Sequence, residues 1–160
     1  MANTARQDTV CTSQPPSTGP MALRPGYEPL VQAFSGLSST NGGPDDPPMR
    51  SAASMCDQGS GMWAVIGALA LLQRRHQTGC GGLVQTSLLE TALVWNGQKA
   101  DAYVNEGRLP VRDRSGHPGF VPYEAFETQN GPLLICCGND RLFAKLAAAL
   151  ERSDWEIGRA

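Results

Sequence analysis

The chain has only two histidines, His76 and His117, and no Gly-x-Ser-x-Gly segment, which disfavours serine-hydrolase chemistry. Its five cysteines, at 11, 56, 80, 136 and 137, include no Cys-x-x-Cys and no histidine at finger spacing, so neither a zinc site nor a disulfide framework is indicated. Charge of one sign is scarce: 13 basic against 15 acidic residues leave a formal net charge of -2 without a long run of either sign. A polyanion such as nucleic acid is therefore a poor partner. The longest uninterrupted apolar stretch, Met62 to Leu72, has eleven residues, against about 20 needed to cross a bilayer. The first residues lack the apolar core of a secretory signal, and a cytoplasmic address is expected. The glycine-rich runs Thr78–Gly82 and Ser115–Gly119 have neither the Walker lysine nor a dinucleotide-binding strand–turn–helix setting.

What is present is enough apolar residue, 41% of 160 positions, for one globular domain or for one and part of another. Residues 1–16 show no helical or strand period and read as a disordered leader. Between Pro25-Gly26 and Asn41-Gly42-Gly43-Pro44, the spacing of Leu30, Val31, Phe34 and Leu37 predicts one apolar face of a short helix. The strongest helical pattern runs from about Asp57 to His76. Its apolar residues leave almost no polar face, which predicts burial. Asp57 stands as its N-cap, and Arg74, Arg75 and His76 face its negative end.

Gly82 to Thr86 then reads as a strand, and Ser87-Leu88-Leu89-Glu90 as a capping box opening a helix to about Asn105. Beyond a polar connector, Val121–Thr128 and Pro132–Cys137 flank the hairpin signal Asn130-Gly131. Cys136 and Cys137 read as small buried strand residues. Asn139 or Asp140 caps a last amphipathic helix, Arg141 to about Glu151.

Asp57 is the chemically interesting residue. A carboxylate at a helix start sits among unpaired N–H groups and stays ionised. The ordinary reading is a simple cap. Gly59 and Gly61, in the opening turns of a long helix, suggest that a ligand needs room there. Such a carboxylate is suited to attack an activated acyl group. Asp45, Asp46 and Cys56 form no accepted metal-ligand spacing, so no metal is expected. Glu28 reads on its own as a solvated acid at a helix start, and His117 as an exposed loop residue.

Taken in order, these segments resemble the class III coenzyme A transferases, the CaiB/BaiF family. The likeness runs from about Ser17 to Trp155. It rests on Gly19-Pro20, Pro25-Gly26-Tyr27-Glu28, Val31-Gln32-Ala33-Phe34-Ser35-Gly36-Leu37, the Asp57, Gly61, Gly67 spacing, and Thr78-Gly79 through Leu89. The later segment Tyr123–Thr128 with Gly138-Asn139-Asp140 looks like the opening of that family's small domain.

The resemblance implies an α/β fold: part of a large Rossmann-like CoA-transferase domain over 17–98, a linker over 99–114, and the start of a small α+β domain over 115–160. It implies that Asp57 attacks an acyl-CoA thioester to give a mixed anhydride and then an aspartyl-CoA thioester. Glu28 would lie near the reacting carboxylate. Gly116 and His117, in a glycine-rich loop covering the intermediate, and Arg24 would contact coenzyme A. Coenzyme A thioester is substrate, and no permanently bound cofactor is expected. Related acyl-CoA racemases use a histidine where Tyr27 stands here, and a phenol of pKa about 10 is a poor base at neutral pH. Family members are more than twice this length and form interlocked dimers. The expectation is thus a homodimer, or a truncated or split subunit working with a complementary chain.

Overall fold

The structure, a computed structural model, describes residues 9–13, 20–22, 25–152 and 154–155. The chain divides into two compact units, residues 1–41 with 47–111, and residues 42–46 with 112–160.

In the first unit, β1 (Thr9–Ser13) pairs in parallel with β2 (Leu83–Ser87), Thr9 opposite Leu83. This strand lies inside the segment expected to be a disordered leader. Thr9, Val10 and Thr12 are β-branched, which suits a pleated strand, but a five-residue segment in a polar context carries too little alternation to be read alone. Helix α1 (Glu28–Phe34) has Pro29 in its first turn and gives way at Gly36, φ 82°, to a 3₁₀ turn over Leu37–Thr40. Val31 and Leu37 are buried as expected. Leu30 and Phe34 are exposed, and the polar pair Glu28 and Gln32, one helical turn apart, is buried in their place.

Helix α2 (Met55–Thr78) starts two residues earlier and ends two later than its apolar pattern, and Gly79 closes it at φ 71°, donating to Arg75 O at 2.8 Å. Its 24 residues would suffice by length and composition to cross a bilayer, but β1, β2 and α3 pack along it as along a core helix. The expected burial is corrected: Met62, Val65, Ile66 and Leu69 are all more than half exposed. The contact face is the stripe of small residues Cys56, Gly59, Ser60 and Ala64, because small residues let neighbouring backbones approach. A Cβ on Gly59 would stand 2.6 Å from Thr91 Cγ2, and one on Gly67 would stand 2.6 Å from Val84 Cγ1.

After β2, Ser87 caps α3 (Leu88–Trp95), its Oγ accepting from Glu90 N at 3.1 Å and donating to Glu90 Oε2 at 2.8 Å. The expected single helix is two. Asn96 leaves helical geometry, and α4 (Gly97–Glu106) follows, occupying the first half of the stretch expected to be a linker. Buried hydroxyls tie α2 to α3: Ser60 Oγ lies 2.9 Å from Thr91 Oγ1, and Thr91 Oγ1 donates to Ser87 O at 2.9 Å. The core of this unit, Val31, Leu37, Cys56, Leu88 and Ala92, gathers where α1, the 3₁₀ turn, the start of α2 and α3 meet.

The second unit contains the antiparallel hairpin of β3 (Tyr123–Phe126) and β4 (Leu133–Cys136), with Gly131 at φ 108° in its turn. Cys137 is buried, whereas Cys136 is exposed, against expectation. Helix α5 (Asp140–Ala149) is capped by Asn139, whose Oδ1 accepts from Leu142 N at 3.0 Å.

Candidate functional site

The opening turn of α2 is built by a residue far away in sequence. Ser54 holds the N-cap position but makes no side-chain capping bond. Glu28 does so in its stead, Oε1 accepting from Cys56 N at 3.1 Å and Oε2 from Asp57 N at 2.7 Å. Met55 N donates to Ala53 O at 2.9 Å and Gln58 N to Ser54 O at 3.0 Å. All four opening amides of the helix are thereby satisfied, which corrects the picture of Asp57 among unpaired N–H groups. Asp57 is a first-turn residue and not the N-cap.

Glu28 is itself held from behind. Gln32 is fully buried, its Nε2 donating to Glu28 Oε1 at 2.6 Å and its Oε1 accepting from Ser51 N at 2.7 Å. One glutamine thus locks the capping carboxylate and the loop that leads into α2. Burial raises the Glu28 pKa, but the hydrogen bonds from Gln32 and the amides of Cys56 and Asp57 outweigh it and hold the carboxyl below its ordinary value. The carboxylate is anionic at neutral pH and offsets the positive end of the α2 dipole.

Between Glu28 and Asp57 sits Cys56, wholly buried. Burial, then the charge and hydrogen bond of Glu28, then the charge of Asp57, push its thiol up to about 12. It is protonated at neutral pH and no thiolate competes as a nucleophile beside Asp57. The Asp57 side chain is exposed and has no hydrogen-bond or ion-pair partner among the described residues. A carboxylate that is solvent-accessible and uncommitted, on a helix start fixed in place by a second, buried carboxylate, is an arrangement available for attack on an incoming electrophile.

Of the residues singled out by sequence, Asp57 and Glu28 fall together in the first unit, while Gly116 and His117 belong to the second. Arg24 lies outside the described residues. Tyr27 is largely exposed. Gly59 does not leave room for a ligand, since Thr91 and Trp95 occupy the space its side chain would take; Gly61 faces open space. Gln32 was missed. Its only signal was the four-residue spacing from Glu28, a common pairing on helices.

The sequence profile of CoA-transferase family III matches residues 11–159. The acetyl-CoA:oxalate CoA-transferase of Acetobacter aceti is 35% identical over 130 residues, covering 81% of this chain and 33% of the relative. The succinyl-CoA:glutarate CoA-transferase of Mus musculus is 35% identical over 133 residues, 83% of this chain and 30% of the relative. A crystal structure of a CaiB/BaiF family protein from Brucella suis superposes with a TM-score of 0.79 at 28% identity, covering 94% of this chain and 40% of that one. The chain spans about a third of the length of the curated relatives it matches. With the profile running from the first strand past the last helix, and relatives above 30% identity over four-fifths of the sequence, the chain belongs to CoA-transferase family III.

Proposed function

We propose that the chain takes part in moving coenzyme A from an acyl-CoA to a free carboxylic acid, with Asp57 as the covalent acceptor. Asp57 Oδ attacks the thioester carbonyl and expels the CoA thiolate, leaving an acyl-aspartyl anhydride. The thiolate attacks the aspartyl carbonyl, releasing the donor acid and forming an aspartyl-CoA thioester. An acceptor carboxylate then attacks that thioester, and the thiolate freed in this step takes the new acyl group, which regenerates Asp57. The observation that carries the reading is the Glu28 clamp on the amides of Cys56 and Asp57, which fixes an exposed and unpaired carboxylate. Glu28 acts through the backbone as a positioning residue. Gly116, His117 and Arg24 are assigned to coenzyme A contact on family likeness. The donor and acceptor acids belong to the classes that the relatives' names describe, small dicarboxylates among them.

Incubation with an acyl-CoA followed by hydroxylamine or borohydride trapping and mass spectrometry tests the covalent step. A label on Asp57 supports it, and no label there, with any partner chain supplied, removes it. Transfer, and not racemisation, is the reaction proposed, since Tyr27 stands where a racemase has its base.

A second reading concerns assembly, and the exposed apolar residues Met62, Val65, Ile66 and Leu69 of α2 favour it. The chain works in the cytoplasm as a homodimer or beside a complementary chain that covers this face. One relative, of Chloroflexus aurantiacus, is named as the alpha subunit of a succinyl-CoA–L-malate CoA-transferase. Alone, the fragment would be catalytically inactive in this reading, and tight binding of coenzyme A by the isolated chain would count against it.

A further inference from the structure

Three glycines lie inside α2, at 59, 61 and 67, and all keep an ordinary helical backbone. Glycine weakens a helix interior relative to alanine, because more backbone freedom is lost when it is ordered. Two of the three have a reason in the packing. A Cβ on Gly59 would meet Thr91 and Trp95, and one on Gly67 would meet Val84. Gly61 has no such reason. Nothing comes within 4 Å of the position its Cβ would take, so neither close packing nor a special backbone angle asks for a missing side chain there.

What lies beside Gly61 is Asp57. The two are four residues apart, one helical turn, and both are exposed on the same face of α2. Helical side chains lean towards the N-terminus, so a residue covers the surface over the turn before its own Cα. Any side chain at 61 would therefore project over the flank of Asp57, which the glycine leaves open. The core side is closed to a ligand, since Cys56 and Ser60, beside them in sequence, are buried. Because Glu28 holds the amides of Cys56 and Asp57, the helix start has little freedom to swing away from bulk added on this face.

We infer that Gly61 is a specificity-determining residue: its bare backbone provides the space that an acyl group takes up once bonded to Asp57, and the side chain at 61 limits the size of acyl group accepted. The inference rests on the reading of Asp57 as the covalent acceptor.

The parent chain, Gly61→Ala, Gly61→Val and Gly97→Ala are incubated with acetyl-CoA or succinyl-CoA, with any partner chain supplied. Acylated Asp57 is converted to its hydroxamate with hydroxylamine and read by peptide mass spectrometry. Gly97→Ala is the control, because Gly97 also has nothing within 4 Å but belongs to α4. Gly61→Ala melts no lower than the parent yet labels Asp57 about tenfold more slowly, and the stiff side chain of Gly61→Val slows labelling about a hundredfold. Succinyl-CoA loses more than acetyl-CoA, and Gly97→Ala labels as the parent does. Slower reaction on an equally or more stable fold separates a site residue from a packing defect. Should Gly61→Val fail to fold, Gly61→Ala decides. Labelling at the parent's rate in Gly61→Ala with both donors overturns the inference and leaves the role of Asp57 standing. So does a loss that is the same for both donors, or one that accompanies a change of oligomeric state in sedimentation. A parent that takes no label removes the reading of Asp57 and this inference with it.

Discussion

Glu28 and Asp57 lie 29 positions apart in sequence, and the carboxylate of the first accepts the backbone N–H of the second at 2.7 Å. The bond fixes two acids of like charge in different settings. Glu28 is buried and fully hydrogen-bonded, while the Asp57 side chain is left in solvent. Glu28 answers the positive end of α2, and the Asp57 side chain does not cap its own helix.

Replacing Asp57 separates reactivity from stability. Its side chain makes no bond with the described residues, so Asp57→Ala shifts unfolding free energy by no more than about 0.5 kcal/mol. Acyl trapping at this position is lost altogether. Thermal melts and peptide mass spectrometry read the two effects independently.

Glu28 behaves in the opposite way. Glu28→Ala strands the amides of Cys56 and Asp57 and the Gln32 amide group, and urea denaturation should show a loss of about 2–4 kcal/mol. Glu28→Gln keeps acceptor capacity but loses the charge, and about 1 kcal/mol is the expected cost. Its folded pKa is depressed, so its stabilisation is present above the ordinary carboxyl value of 4.5 and fades as pH falls through the lower, folded value. The acid limb of stability against pH should therefore flatten in Glu28→Gln.

Cys56 predicts an alkaline limb. Its folded pKa is raised from 9.0 to about 12. Its contribution is therefore complete below pH 9.0 and is lost as pH climbs towards about 12, where the folded thiol also ionises. Iodoacetamide at pH 8, followed by peptide mapping, should label the exposed Cys80 and Cys136 and spare the buried Cys56 and Cys137 until the chain unfolds. Early modification of Cys56 would contradict its placement beneath the start of α2.

Two glycines of α2 predict opposite signs. A methyl group on Gly59 would meet Thr91 Cγ2 at 2.6 Å and Trp95 Nε1 at 2.8 Å, so Gly59→Ala should destabilise by about 1–3 kcal/mol through overpacking. Gly61 has nothing within 4 Å of that position, and Gly61→Ala should stabilise by up to about 1 kcal/mol through helix propensity. Matched denaturant curves of the two variants test whether the small-residue stripe of α2 is the packed face.

Local signals determined a good part of this protein. The capping box at Ser87, the Asn130-Gly131 hairpin and the Asn139 cap were legible because each depends on residues a few places apart. Tertiary structure decided the rest. Which face of α2 is covered could not be read from an apolar pattern with no polar side, and packing chose the small residues that let β2 and α3 come close. Thr9–Ser13 became a strand because β2 lies beside it, a pairing across more than seventy residues that no local period records. Glu28 looked like a solvated acid at the start of its own helix. Only the fold brings it against the first turn of another, where two unpaired amides make a buried carboxylate favourable and leave Asp57 free.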